Sequence, residues 1–176
     1  MADSLEQNLR DWFKDAKRIV LVGVGNPIRQ DDNIGLKILQ GLQGKLPDKV
    51  LLLECEMVPE GYLLDIENFR PTHVLLVDSA ILGRAPGDAD FVKATEVATF
   101  SVVSSHMLPL RLFCEYVEKT TGAKIRLLLV EPKCMELGEE LTPELQLSAE
   151  KLNLTGIGLD DTLFIFSTKK LKGCNI

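Results

Sequence analysis

The chain has 176 residues, 45% hydrophobic and 26% charged, with a formal net charge of -6. That length suits one domain built on a single core, and an acidic chain without a Lys/Arg cluster excludes a phosphate-tracking surface, so no nucleic-acid partner is expected. No stretch approaches bilayer-spanning length and the opening MADSLEQNLRDWF carries acids in place of an apolar signal core, so no membrane insertion is expected and the cytoplasm is the expected location.

RIVLVGVG (18–25) is a short β-branched apolar run, the pattern of a strand buried on both faces. Ile34, Ile38, Leu39 and Leu42 then recur at helical spacing, with Asp31 or Asp32 available to cap that helix. VLLLE (50–54) reads as a second strand and GYLLDIENF (61–69) as a short helix stopped by Pro71. THVLLVD (72–78) is a third buried strand ending on an acid, and APGDADFVKA (85–94) a turn into a shorter, more polar edge strand. PLRLFCEYVEKTTG (109–122) sets Leu110, Phe113, Tyr116 and Val117 on one helical face, with Pro109 near its start and Gly122 as its stop. KIRLLLVEP (124–132) is a further core strand, and LTPELQLSAEKL (141–152) a helix with Thr142 at the N-cap and Pro143 at N1. DTLFIFSTKKLKGCNI (161–176) offers an extra strand with a basic tail.

Strands alternating with helices predict a three-layer α/β fold, a twisted and mostly parallel sheet of about five strands between helices. The chain is expected to form one domain over residues 1–176, with a variable C-terminal extension from about 153. In such sheets, sites gather beyond the carboxyl ends of the strands. That rule selects residues 25–32, 54–61 and Asp78.

The loop GVGNPIRQDDNIG (23–35) fits neither familiar phosphate-binding pattern: Ile28 stands where a dinucleotide fingerprint needs glycine, and no Gly-Lys-Ser/Thr follows. Its acids Asp31 and Asp32 are either helix caps, worth about a kcal/mol each, or site groups, and one can cap while the other projects. Asp78 either turns the chain or faces the crevice. His106, in SVVSSHMLPL (101–110), precedes a helix and is either structural or a ligand; His73, opening the third strand, is read as structural. The four cysteines, Cys55, Cys114, Cys134 and Cys174, lack metal-ligand spacing and read as free thiols. Two carboxylates and an imidazole suit zinc, nickel or manganese, and three ligands leave positions open for chemistry. Read from residues alone, the expectation is an α/β protein whose residues allow a metal-assisted hydrolytic site.

Three ordered stretches, VLVGVGNPIRQDDNIG, FRPTHVLLVDSA and SSHMLPL, resemble the successive signatures of the nickel-iron hydrogenase maturation endopeptidases, over roughly residues 18–152. The resemblance lies nearest the branch that processes the hydrogenase 3 large subunit. It implies an endopeptidase that removes a C-terminal extension from the large-subunit precursor after nickel has been placed in it. It implies that Asp32, Asp78 and His106 contact metal and carry catalysis, Asp32 being chosen as the second of the paired acids. The nickel is carried by the precursor, no tightly bound intrinsic metal is expected, and the protease is expected to be a monomer. This chain departs from the pattern at Arg29 and Gln30, which put a cation near the acids and would depress a nearby carboxylate, and at ECEMVPEGY (54–62), where Cys55 and Glu56 replace a Gly-Thr pairing in a segment expected to touch substrate. Two other classes remain open: a nickel-sensing chaperone that docks on the immature large subunit without cutting it, and a small-molecule hydrolase on a similar scaffold.

Overall fold

The computed structural model describes residues 2–96 and 107–152. Strands β1 (Ile19–Val24), β2 (Val50–Glu56), β3 (His73–Ser79), β4 (Ala89–Val92) and β5 (Lys124–Val130) form one sheet in the order β2-β1-β3-β5-β4. All pairings are parallel except that of β4 with β5, so the short edge strand runs antiparallel. The helices are α1 (Ala2–Phe13), α2 (Ile34–Gln40), α3 (Leu63–Phe69), α4 (Met107–Thr121) and α5 (Pro143–Lys151). The expected three-layer α/β architecture is the one observed.

The pleat explains why β1 is apolar throughout. Ile19 and Leu21 point to a layer formed by Leu9 and Phe13 of α1, Ile38 and Leu39 of α2, and Leu145 of α5. Val20, Val22 and Val24 point to the opposite layer, with Ile66 of α3 and Leu110, Phe113 and Val117 of α4. Successive side chains of a strand face opposite sides, so a strand covered by helices on both faces has no polar side to show.

Helix α1 was not anticipated, although Leu5, Leu9 and Trp12 stand at helical spacing. It packs edge-on against His73, with Trp12 and His73 ring centroids 4.8 Å apart. The expected helix over 61–69 divides into a 3-10 turn (Pro59–Tyr62) and α3, and it stops at Arg70, which adopts a left-handed φ of 51° just ahead of Pro71. Gly122 ends α4 as expected, in the left-handed region at φ 71°. The strand expected within 161–176 and the extension from about 153 lie outside the described residues.

From β1 the chain moves to β2 on one side, then returns across to β3 on the other. The crevice between the carboxyl ends of β1 and β3 is therefore the topological switch point, where ligands settle in open α/β sheets.

Candidate active site

The loop after β1 is held by two close approaches that only glycine permits. A Cβ on Gly25, whose φ is +152°, would lie 2.1 Å from the Asp32 carbonyl oxygen. A Cβ on Gly35 would lie 2.3 Å from both the Val24 and Val77 carbonyl oxygens. The first turn of α2 is thus seated directly on β1 and β3. The 3-10 turn Gln30–Asn33 is carried with it to the end of β3. The loop after β5 clamps the turn from outside: the Gln30 N–H donates to the Gly138 carbonyl at 2.7 Å, and the Gly138 N–H to the Ile28 carbonyl at 3.0 Å.

Neither acid of the pair caps α2, contrary to expectation; Asn33 holds the N-cap position, without a side-chain capping bond. The 3-10 turn inserted ahead of the helix sends the two carboxylates in different directions. Asp31 is fully buried and accepts hydrogen bonds from the backbone N–H of Lys133 (2.9 Å), Cys134 (2.9 Å) and Thr142 (2.7 Å), and from the Thr142 hydroxyl (2.9 Å). Thr142 does stand at the N-cap of α5, but its hydroxyl is given to Asp31 instead of to the helix. Asp31 is therefore a staple between the first loop and the segment after β5.

Asp32 is half-buried and turns to the sheet. The Ser79 hydroxyl donates to Asp32 Oδ1 at 2.7 Å, while the Ser79 backbone N–H donates to Asp78 Oδ1 at 2.8 Å. One residue thus joins two of the acids in the stretches that the strand-end rule selected. Asp78 is buried, and burial first, with the Asp32 charge second, lifts its carboxyl to about 8, against the opposing pull of the Ser79 N–H. A carboxyl so placed keeps its proton at neutral pH. Arg29 is exposed and reaches the Met135 carbonyl at 3.4 Å, and Asp78 shifts upward under burial and the Asp32 charge.

His106 lies outside the described residues. The helix that follows it, α4, ends at Thr121 and feeds β5 at Lys124. Its 15 residues run back along the sheet by about 22 Å at 1.5 Å per residue. Its first residue, Met107, accordingly stands toward the same carboxyl edge as Asp32 and Asp78. Among the described residues, no group of three or more His, Cys, Asp or Glu side chains is arranged to hold a metal ion.

His73, read as structural, is buried at the opposite end of β3, its Nδ1 3.1 Å from the Thr72 hydroxyl, and burial lowers its pKa. Cys55, Cys114 and Cys134 are free thiols as expected, and burial pushes Cys55 and Cys114 up to about 12; Cys174 lies outside the described residues. Two residues were missed. Ser79 carries only a weak signal, a hydroxyl next to a strand-end acid. Glu131 carries the same signal as Asp78, an acid closing a buried strand. It is buried, and its Oε2 accepts the N–H of Leu82 (2.5 Å) and Arg84 (3.2 Å), which ties down the loop leaving β3. Around this edge, exposed apolar side chains project from the loops after β1, β2, β3 and β5: Ile28, Met57, Val58, Ile81 and Leu137.

Comparison with known proteins gives a consistent picture. A family model described as hydrogenase maturation protease (HycI) matches residues 36–155, a span that starts after Asp32 and includes Asp78 and His106. The crystal structure of a nickel-iron hydrogenase maturation protease, HycI from Thermococcus kodakarensis KOD1, superposes with a TM-score of 0.76 at 33% identity, covering 83% of this chain and 94% of that one. The hydrogenase maturating endopeptidase HybD from Escherichia coli superposes with a TM-score of 0.64 at 28% identity, covering 76% and 85%. The hydrogenase 3 maturation protease of Escherichia coli K12 is 25% identical over 106 residues, 60% of this chain and 68% of that protein.

Proposed function

The chain belongs to the hydrogenase maturation proteases, and from that premise we propose that it is the endopeptidase that removes the C-terminal extension from the nickel-loaded precursor of a nickel-iron hydrogenase large subunit. The observation that carries the proposal is the junction of Asp32 and Asp78 through Ser79 at the switch point of the sheet.

In this reading Asp32, Asp78 and His106 form the catalytic and metal-contacting set. The metal is part of the substrate: nickel arrives already seated in the precursor, and the protease holds no tightly bound metal of its own. Contact between these side chains and the substrate's nickel fixes the scissile peptide against the site, which lowers the entropic cost of reaction and makes metal insertion the licence to cut. Two acids in unlike environments divide the proton chemistry. Asp32 takes a proton from the attacking water, and a carboxyl of the pair returns one to the departing amine.

The exposed apolar side chains on the surrounding loops support a polypeptide substrate over a small molecule, since exposed apolar patches mark protein-interaction surfaces. The chain acts in this account as a single-domain monomer in the cytoplasm. Incubating it with nickel-loaded precursor tests the reading: the precursor should lose one C-terminal peptide, seen as a single discrete fall in mass. A precursor that keeps its full mass while the protease stays folded contradicts it.

A further inference from the structure

We infer that Ser79 is a positioning residue whose hydroxyl decides which oxygen of Asp32 meets the substrate; this role rests on the protease reading above. The Ser79 main-chain N–H holds Asp78 Oδ1 at 2.8 Å and its hydroxyl holds Asp32 Oδ1 at 2.7 Å. Among the described residues no hydrogen bond is made to Oδ2 of either acid. Each carboxylate therefore has one oxygen tethered to Ser79 and one that no described residue holds.

Ser79 is well placed to impose this order because it cannot easily move. It is the last residue of β3 and pairs with Val130 of β5, and the next N–H, that of Ala80, donates to the Val130 carbonyl at 3.0 Å. It is 8% exposed. A hydroxyl donated to a carboxylate is a charge-assisted bond, stronger than one between neutral groups. Asp32 by contrast sits on a 3-10 turn without a side-chain cap and is half-buried, so its side chain depends on this bond for a fixed rotamer. Asp32 then offers the substrate a single contact instead of a bidentate clamp.

The role separates from simple burial of a hydroxyl by comparing shape-matched variants. Ser79→Ala removes the donor. Ser79→Val and Ser79→Thr have the same shape and differ in the hydroxyl. Each is checked for folding by thermal melting, then assayed for cleavage of nickel-loaded precursor. Loss of a group that orients a site residue costs about 10–100-fold. Ser79→Ala and Ser79→Val should lose that much in kcat with KM for the precursor unchanged, and Ser79→Thr should stay within about threefold of the parent. If the Val and Thr variants cut equally well, or if the loss falls on KM alone, the positioning role is overturned while the protease reading stands. If the unaltered chain leaves the loaded precursor whole, the protease reading fails and this role falls with it. Should Ser79→Ala not fold, the Thr and Val pair decides the question unaided.

Discussion

Gly35 lies so close to β3 that a Cβ there would meet the Val77 carbonyl oxygen at 2.3 Å. This contact sets the distance between the first loop and the third strand, and so sets Asp32 beside Asp78. Gly35→Ala must push α2 off the sheet, because the obstructing atoms are backbone. Overpacking of this kind costs about 1–3 kcal/mol. The variant should show a lower urea midpoint, and cleavage should fall further than the loss of folded protein explains. Equal activity per folded molecule would mean that the spacing does not matter.

The neighbouring acids Asp31 and Asp32 should behave as opposites. Asp31→Ala leaves the N–H groups of Lys133, Cys134 and Thr142 without their acceptor. Each stranded group costs about 1–3 kcal/mol, so a loss on the order of 3 kcal/mol or more is expected in chemical denaturation. Asp32→Asn should change stability by less than about 1 kcal/mol and remove activity. Equal stability losses for the two would contradict the division between staple and site.

Asp78 gives the chain a signature in its stability against pH. Its carboxyl titrates at about 8 when folded and at about 4 when unfolded. Below about 4 both states carry the proton and the group costs nothing. Between about 4 and 8 the unfolded chain ionises while the folded one does not, so stability falls as pH rises, by about 1.4 kcal/mol per pH unit. Above about 8 the penalty is constant. Asp78→Asn should flatten this slope and stabilise the protein at pH 8 while abolishing cleavage. A parallel pair of pH-stability curves would show that Asp78 is not held neutral.

Helix α1 lies outside the span matched by the family model, yet it seals one face of the sheet. Leu9 is buried there among Phe13, Leu39 and Leu75. Leu9→Ala should cost about 2–4 kcal/mol, as for other buried leucines, with kcat and KM unchanged at temperatures where the variant remains folded. A change in KM would mean that α1 takes part in substrate binding.

The sheet was legible because buried strands announce themselves as short apolar runs, and because helices of period 3.6 fall between them. Asp78 was legible as a strand-end acid for the same reason: a polar residue at the end of such a run has few structural excuses. The fate of the Asp31–Asp32 pair was not legible. Both acids satisfy the rule for a helix cap, and the 3-10 turn that redirects them is set by Gly25 packing against Asp32 and by Gly35 packing against β1 and the more distant β3. The partner loop was hidden too, since Lys133 and Cys134 reach Asp31 through backbone groups that any residue could supply, and the Thr142 hydroxyl that joins them reads as a helix cap. Ser79 escaped because its bond to Asp32 joins elements 47 positions apart. Glu131 escaped although its signal matched that of Asp78.

The central claim is that the two bridged carboxylates cut a precursor once its nickel is in place. The most direct measurement is the mass of the large-subunit precursor, nickel-loaded and nickel-free, after incubation with the chain and with Asp32→Asn. The account predicts loss of the C-terminal extension in one of the four mixtures, the intact chain with loaded precursor. Binding without shortening in that mixture would identify a docking factor, and shortening by Asp32→Asn at the parent rate would remove Asp32 from the chemistry.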